Sequence, residues 1–266
     1  MPEGDTIHKA AARLRPALAG HVLVRFEAPR LRGDAPKLGT RIEAVEARGK
    51  HLLIEFAGGL TLRTHLRMTG SWHIYKERER WQKPAYLARA VVGADSGWVA
   101  VCFQAPVVET FHRAAAEPDA LASLGPDLCL AGSLADAVLD VVVERVALVA
   151  AAGTTLGEAL LDQRIAAGIG NVYKSEACFA AGVDPATSIE LVDQETRRRV
   201  WSIAARQLQA NLGQAERRTH PAGLAVYGRR GQPCHRCGTP VNMARHGQQA
   251  RSTYWCPTCQ PPAEPS

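Results

Sequence analysis

No stretch of this sequence is apolar over the roughly 20 residues that a membrane-spanning helix needs. The N-terminus also lacks a basic segment followed by an apolar core, so it does not resemble a signal peptide. These absences argue against a membrane protein and against a secreted one. We therefore expect a cytoplasmic protein with no membrane partner.

Acidic residues are in the minority, because 26 Asp and Glu are set against 32 Lys and Arg, and the net charge is +6. A basic balance favours an anionic partner, and nucleic acid is the usual one. Many basic proteins bind no nucleic acid, so the net charge alone does not identify the partner. The 266 residues suffice for one large domain or two ordinary ones.

The first half of the chain lacks helix-length segments between its strand-like segments, which argues against a parallel, doubly wound sheet. A helix is predicted at residues 5–15, capped by Asp5 or Thr6 and ended or kinked by Pro16. Short alternating segments with Gly, Pro or Asp in the turns follow it: HVLVRFEA, RIEAVEA, HLLIEF, LTLRTHL, SWHIY, YLARAVV and WVAVCF. This pattern predicts an antiparallel β-sandwich domain over residues 1–128.

The pattern becomes helical after LGPDLC. A long amphipathic segment comes first, two short helical segments then lie around a glycine-rich turn, and a helix with a basic first half follows. We predict a helical domain over residues 129–222, which makes the fold α+β and multidomain. Residues 261–266 are predicted to form a disordered tail.

Four of the seven cysteines are crowded near the C-terminus. Cys234-x2-Cys237 and, 18 residues later, Cys256-x2-Cys259 have the spacing of a four-thiolate zinc site. Because four protein ligands leave no open position on the metal, we predict one structural Zn²⁺ that holds residues 223–260 together. Disulfides are the alternative, which a reducing cytoplasm disfavours. The other three cysteines stand in apolar stretches and are expected to be buried and reduced: Cys102, Cys129 and Cys178.

The chain begins MPEGDTI, which places Pro2 and Glu3 directly behind the initiator Met. One interpretation is structural: Pro2 permits removal of Met1, and the polar residues after it start a helix. The other is catalytic: removal of Met1 leaves Pro2 with a free secondary amine beside the carboxylate of Glu3, a nucleophile next to an acid/base group. This stretch alone favours the structural interpretation.

Four further residues stand where a functional and an ordinary structural role are both open. Lys50 lies between a glycine turn and an apolar strand, and Met68 lies at a hairpin tip, from which an exposed methionine can wedge into a base stack. Asn171 is expected to cap the helix after the glycine-rich turn, where backbone N–H groups bind phosphate well. Arg251, in the basic loop between the cysteine pairs, suits a phosphate.

The motifs PEG, ARGKHLL, THLRMTG, LGPD, LLDQRIAAGIGNVYKSEA and RSTYWCPTCQ follow one another between residues 2 and 260. In this order they resemble the formamidopyrimidine-DNA glycosylase/endonuclease VIII family of bacterial base-excision repair enzymes. The resemblance implies an N-terminal antiparallel β-sandwich flanked by helices, a helical domain with a helix–two-turn–helix, and a C-terminal zinc β-hairpin. It also implies that DNA lies between the domains and that the damaged nucleotide is flipped out.

The resemblance implies four catalytic residues. Pro2, freed of Met1, matches the family's nucleophile, which attacks C1′, displaces the damaged base and forms a cationic iminium that permits β-elimination. Glu3 matches the general acid/base. Lys50 matches a lysine that contacts phosphate and assists proton transfer. Arg251 matches an arginine that grips phosphate and is linked to δ-elimination.

Four DNA-binding residues follow from the same resemblance. Met68 matches the wedge residue, and Arg67 stands beside it where some members carry glutamine. Asn171 matches a residue that grips phosphate. Glu176 matches a supporting carboxylate in the helical domain.

The start MPEGDTI looks like the endonuclease VIII branch, whose usual substrates are oxidised pyrimidines. The formamidopyrimidine branch typically begins Pro-Glu-Leu-Pro-Glu and carries an Arg-x-Phe pair in a loop beside the wedge methionine. The corresponding stretch here, QAPVVETF, has no arginine and instead holds Val107, Val108 and Glu109. This departure favours the endonuclease VIII branch.

The resemblance therefore predicts a bifunctional enzyme, an N-glycosylase that hydrolyses N-glycosyl bonds and a DNA-(apurinic or apyrimidinic site) lyase. It is expected to act as a monomer on damaged double-stranded DNA in the bacterial nucleoid, with bubble or single-stranded DNA left open as substrates. A non-catalytic binder of damaged DNA is the rival interpretation, but it has no need of Pro2, Glu3 and Lys50 together. A zinc ribbon for protein contacts leaves the N-terminal motifs unexplained.

Overall fold

The computed structural model describes residues 2–115, 117–247 and 250–262. The chain divides into two compact units, one ending at Ala122 and one beginning at Ser123. The predicted domain bounds stay predictions, and residues 263–266 of the predicted tail lie outside the described residues. No helix formed by the described residues is long and apolar enough to cross a membrane.

The first unit, in the part that the structure describes, contains two four-stranded sheets, two α-helices and a short 3-10 helix (Ala85–Leu87). The sheet orders are β1-β6-β7-β5 and β2-β3-β4-β8, with antiparallel pairing throughout. The elements are α1 (Gly4–Leu18), β1 (Leu23–Glu27), β2 (Ile42–Arg48), β3 (His51–Phe56), β4 (Leu60–His65), β5 (Ser71–Lys76), β6 (Ala88–Ala94), β7 (Trp98–Phe103), β8 (Val107–His112) and α2 (Asp119–Ala122). The predicted antiparallel sandwich is confirmed.

The core of the first unit forms where α1 meets residues from both sheets. Ile7, Leu14 and Leu18 of α1 are packed with alternating strand residues such as Leu52 and Val92, all almost fully buried. Burying an aliphatic side chain of this kind contributes about 1.5–3 kcal/mol. This packing fixes the start of α1, and with it residues 2 and 3, against the sandwich.

Helix α1 differs from the prediction at both ends. Its N-cap is Glu3, not Asp5 or Thr6, and the helix already includes Gly4. Pro16 lies inside the helix, which continues to Leu18. A proline in the last turn removes only one hydrogen bond, so the apolar face of α1 outweighs that loss.

Strand β8 begins at Val107 and takes up the VVETF part of QAPVVETF, a stretch for which no strand is predicted. The segment pairs with β4, and Val108 is buried in the core. Its β-branched residues favour a strand. No strand was expected because the stretch corresponds to a loop in the family that the sequence resembles.

The second unit contains helices and a hairpin: α3 (Asp136–Val149), α4 (Leu156–Leu161), α5 (Asn171–Ala181), α6 (Gln194–Ala210), β9 (Asn242–His246) and β10 (Arg251–Trp255). Helices α4 and α5 flank the glycine-rich turn, in which Gly168 has φ +107°, a conformation that favours glycine. Thr155 and Glu158 form a capping box at the start of α4. Tyr173 and Trp201 lie in the core between the helices.

Candidate functional site

Pro2 and Glu3 lie at the start of α1. Pro2 is partly exposed, whereas Glu3 is completely buried. The carbonyl oxygen of Glu3 accepts hydrogen bonds from the backbone N–H groups of Thr6 (3.0 Å) and Ile7 (3.2 Å). The first turn of α1 therefore fixes the backbone of a buried carboxylate directly after residue 2, an arrangement that suits acid/base chemistry at the residue-2 nitrogen.

Lys50 and Met68 lie at the same end of the β2-β3-β4-β8 sheet. Lys50 follows Gly49 in the β2–β3 turn, and the first residue of β3 pairs with His65, the last of β4. The tip after β4 exposes 60% of Met68. A Cβ atom at Gly70 would lie 2.6 Å from the carbonyl oxygen of Leu66, so the tip closes this tightly only with glycine.

Arg67 at this tip is exposed and has φ +46°, which is unusual for a residue other than glycine. Its backbone N–H donates to Nδ1 of His65 at 3.2 Å. The hydrogen bond anchors the strained tip to the end of β4. The structure thus places the predicted wedge residue and its basic neighbour side by side in a defined conformation.

His51, which directly follows Lys50, and His65 form a pair that is uncharged near neutral pH. The rings of His51 and His65 have centroids 4.7 Å apart. Burial, and after it the electrostatic interactions with His65 and with the cationic Arg63 and Lys50, lowers the pKa of His51 to about 3. Burial and then the charge of Lys50 lower the pKa of His65 to about 4. Positive charge at this end therefore comes from Lys50 and the arginines.

Arg63 and Glu109 form an ion pair that sequence reasoning missed. Arg63 Nη2 lies 2.6 Å from Glu109 Oε1, with side chains 7% and 18% exposed, and Arg63 Nη1 lies 3.2 Å from His51 Nδ1. Arg63 and His65 lie two residues apart in β4, so their side chains share a face of the sheet. This spacing is the sequence pattern that indicates a polar face on β4. Glu109 neutralises a buried arginine.

In the second unit, Asn171 is the first residue of α5, and Gly170 rather than Asn171 is the N-cap. The predicted cap is wrong because the side chain is used elsewhere. Its Nδ2 donates to the Ser252 carbonyl oxygen (2.7 Å) and to Ser252 Oγ (3.0 Å) on β10. Asn171 therefore ties the hairpin to α5.

Lys174 is a second link of this kind, and no sequence pattern marked it, because a helical lysine usually faces solvent. Its side chain is almost completely buried. Nζ donates to Thr253 Oγ1 at 2.7 Å and to the Ser252 carbonyl oxygen at 3.3 Å. Together these bonds hold β10 against α5.

Glu176 is completely buried on α5. Its carboxylate accepts hydrogen bonds from the hydroxyl of Thr219 and from the backbone N–H groups of Ala225 (2.8 Å), Val226 (2.9 Å) and Tyr227 (2.7 Å). This geometry makes it the anchor of the segment 219–227. A supporting carboxylate fits this environment, and its contact with DNA stays a prediction.

Arg251, the first residue of β10, is partly buried and lines a cavity of about 400 Å³. The other polar residues around the cavity include Glu158, Asp162 and His246. The guanidinium thus lies in a concave, mixed-charge environment. Such a pocket is large enough for a phosphate group.

The four cysteine sulfurs form one cluster, with all Sγ atoms within 4.8 Å of one another. Cys237 and Cys256 are 3.4 Å apart, and Cys234 and Cys259 are 3.9 Å apart. Tetrahedral zinc with Zn–S bonds of about 2.3 Å requires sulfur separations of about 3.8 Å, whereas a disulfide requires about 2.05 Å. The donor set therefore fits one structural zinc. The remaining cysteines are buried as predicted: Cys102, Cys129 and Cys178.

The predicted site residues divide between the two units. The first unit contains Pro2, Glu3, Lys50, Arg67 and Met68. The second contains Asn171, Glu176, Arg251 and the four cysteines.

Comparison with known proteins gives a consistent set of matches. Three family models match this chain. Residues 1–103 match the formamidopyrimidine-DNA glycosylase N-terminal domain, and residues 133–220 match the formamidopyrimidine-DNA glycosylase H2TH domain. Residues 231–262 match the zinc finger found in FPG and IleRS. A Streptomyces coelicolor protein named "Probable endonuclease 8 2" is 44% identical, with 98% of this chain and 94% of the relative covered. A Mycolicibacterium smegmatis protein named "DNA-(apurinic or apyrimidinic site) lyase Nei2" is 36% identical, with 98% and 99% covered. The crystal structure of the MutM (Fpg) protein from Thermus thermophilus superposes with a TM-score of 0.79 at 30% identity, covering 99% of this chain and 100% of that one.

Proposed function

This chain belongs to the formamidopyrimidine-DNA glycosylase/endonuclease VIII family and is a DNA glycosylase with AP lyase activity in base-excision repair, and we propose that Pro2 is its nucleophile once Met1 is removed. The observation that carries this proposal is the buried carboxylate of Glu3 directly after Pro2. An α-amino group has a reference pKa of about 8, so a useful fraction is unprotonated near neutral pH. A lysine side chain, at about 10.4, would need a large shift first.

In the proposed reaction the Pro2 nitrogen forms a bond to C1′, and the damaged base leaves with the electrons of the N-glycosyl bond. The Pro2 nitrogen loses its one proton, the C1′–O4′ bond breaks with O4′ taking up a proton, and C1′ becomes a cationic iminium, because a secondary amine has no second proton to lose. The iminium acidifies the C2′ hydrogen. Loss of that proton expels the 3′ phosphate and cuts the strand. Glu3 is the acid/base group that serves these transfers.

Four other residues are assigned to grip or distort DNA. Lys50 contacts phosphate and assists proton transfer, and Arg251 grips phosphate and takes part in δ-elimination. Met68, exposed at its tip, wedges into the base stack, and Arg67 contacts the strand beside it. Two further residues, Asn171 and Glu176, lie with Arg251 in the second unit and keep the hairpin and the segment 219–227 in place for DNA binding.

The proposed substrates are oxidised pyrimidines in double-stranded DNA. Two features support this preference: the relatives at 44% and 36% identity carry the names endonuclease 8 and Nei2, and QAPVVETF lacks the Arg-x-Phe pair. We also infer that the protein acts as a monomer in the cytoplasm, at the nucleoid, and that bubble or single-stranded DNA can serve as a substrate.

Borohydride trapping tests the nucleophile. Protein is mixed with DNA carrying an abasic site or 5-hydroxyuracil, reductant is added, and a covalent protein–DNA band is sought. Bands with both substrates are expected. Pro2→Gly should abolish or sharply reduce base excision while DNA binding persists.

A matched control uses one short, uncleaved extension at either end of the chain. At the N-terminus it converts the Pro2 nitrogen into an amide and should abolish the band, while the same extension at the C-terminus should leave it. Full trapping with the N-terminal extension would refute the assignment. Tight binding with no band from the wild-type protein would instead support a non-catalytic binder.

A further inference from the structure

One face of the β2-β3-β4-β8 sheet carries a connected polar group away from the apolar core. His51 lies directly opposite His65 on the β3–β4 pair, and Arg63 lies directly opposite Glu109 on the β4–β8 pair. Because side chains two residues apart share a face, Arg63 and His65 point the same way from β4. Arg63 thus reaches Glu109 on one side and His51, diagonally, on the other.

The hydrogen bonds fix which ring nitrogens carry protons. A guanidinium only donates, so Nδ1 of His51, 3.2 Å from Arg63 Nη1, must accept and carries no proton. A backbone N–H also only donates, so Nδ1 of His65 accepts from Arg67. Both rings are therefore neutral Nε2–H tautomers.

The Arg63–Glu109 ion pair is largely buried, so forming it carries a desolvation cost. Removing two charges from water costs several kcal/mol per ion, and an apolar pair of similar volume is often equally stable. A buried ion pair is therefore weak as an explanation of stability. A role in fixing one arrangement of neighbouring groups accounts better for a buried arginine that also donates to a histidine.

Burial, and after it the neighbouring charges, keeps both rings neutral. Burial and the surrounding cations hold the pKa values of His51 and His65 at about 3 and about 4. The charged and titratable groups on the elements around His51 are Glu43, Glu46 and Arg48 of β2, Lys50 of the β2–β3 turn, Glu55 of β3, Arg63 and His65 of β4, Arg67 of the tip, and Glu109 and His112 of β8. Arg48 is itself paired with Glu117.

We propose that Arg63, held by Glu109, is a positioning residue that fixes His51 as a neutral Nε2–H tautomer against His65 and thereby holds Lys50, which directly precedes His51 in the β2–β3 turn, at the end of the sheet. The tautomer is a property of the folded protein alone. Only the consequence for Lys50 rests on the proposed function. The ion pair then acts on DNA chemistry through His51 and the adjacent Lys50.

The test combines spectroscopy with kinetics in one set of variants. The double variant Arg63→Met/Glu109→Leu replaces both partners by apolar side chains and leaves no buried charge alone, so it is expected to fold. The matched control is Arg113→Met/Glu55→Leu, which removes a second Arg–Glu pair linked to this sheet. Arg63→Lys tests whether charge alone suffices. Histidine-selective ¹⁵N labelling reports the tautomers, and His51→Gln assigns the His51 signals.

Wild-type protein and the control should show His51 as Nε2–H only. The double variant should show a mixture of tautomers and a His51 titration midpoint that moves up toward the ordinary 6.5. Its single-turnover cleavage of abasic-site DNA should fall at least about tenfold at pH 7 and gain an inflection between pH 5 and 7, with DNA affinity within about twofold. Arg63→Lys should restore charge but not the single tautomer.

An unchanged His51 tautomer in the double variant would overturn the proposal. A changed tautomer with unchanged rate and pH profile would overturn the link to Lys50. Absence of cleavage by the wild-type protein would count against the proposed function, while the tautomer measurement would still decide the role of Arg63.

Discussion

Glu176 is a single residue whose side chain organises a whole segment. Its two oxygens accept four hydrogen bonds from residues 219–227, and nothing of the side chain is exposed. An ionised carboxylate accepts hydrogen bonds and donates none. It therefore matches backbone N–H donors that have no partner in a strand or helix. The segment is thus held by one charge rather than by regular secondary structure.

Glu176→Gln should loosen this segment, because the amide NH₂ would face backbone donors. Leaving buried groups unsatisfied costs about 1–3 kcal/mol each. Hydrogen exchange at the amides of residues 225–227 should become faster, and the free energy of unfolding should fall by about 2–4 kcal/mol. The exposed Glu190→Gln is the control. Unchanged exchange at residues 225–227 would show that the carboxylate does not anchor the segment.

The histidine pair makes stability depend on pH. The folded pKa values of His51 and His65 are about 3 and about 4, and the unfolded chain restores the ordinary 6.5. Between about pH 4 and 6.5 the unfolded chain binds more protons, so acidification favours unfolding. The contribution is fully present above pH 6.5 and is lost as the pH falls through this window.

We expect the free energy of unfolding to fall by about 1–2 kcal/mol per histidine between pH 7 and pH 5, measured by urea unfolding. His51→Gln should flatten this dependence. The exposed His112→Gln should not. An equally steep profile in His51→Gln would mean that the ring does not resist protonation in the folded protein.

Sequence patterns predicted residues with strong local signals and missed those whose role comes from tertiary contacts. The cysteine spacing gave the zinc cluster, and alternating apolar residues gave most strands. Lys174 and Arg63 carried no such mark, because only folding buries them against partners distant in the chain. Asn171 failed as a cap for the same reason: a tertiary partner on β10 took the side chain.

The zinc-bearing hairpin is the element on which Arg251 depends. Strands β9 and β10 pair over only five residues each, and an isolated hairpin is marginally stable in water. The zinc closes one end of the element, while Asn171 and Lys174 hold β10 against α5. Arg251 is positioned by both attachments.

Cys237→Ser or Cys256→Ser should lose zinc and weaken DNA binding, because three thiolates and a hydroxyl bind zinc poorly and the hairpin loses its closure. Metal analysis by mass spectrometry measures the first effect, and fluorescence anisotropy with abasic-site DNA the second. Cys178→Ala, at a buried cysteine outside the cluster, should keep its zinc. Full zinc content in both serine variants would refute the four-cysteine site.

The net charge of +6 is a property of the whole molecule and favours the DNA polyanion. Each phosphate contact releases counterions, so affinity falls with salt in proportion to the number of contacts. The individual contributions can therefore be counted by salt titration.

Arg251→Ala should weaken DNA binding uniformly across sequences and reduce the slope of log affinity against log salt by about 1. Arg25→Ala is the control, because Arg25 is already paired with Glu27. The measurement is anisotropy between about 50 and 200 mM salt. An unaltered slope in Arg251→Ala would remove Arg251 from the set of phosphate contacts.

The central claim concerns which nitrogen attacks the sugar. The most direct measurement is peptide mapping by mass spectrometry after borohydride trapping on abasic-site DNA and digestion of both partners. The account predicts a single sugar adduct on the N-terminal peptide, at Pro2, with Met1 absent. An adduct on Lys50, or on a peptide that retains Met1, would contradict it.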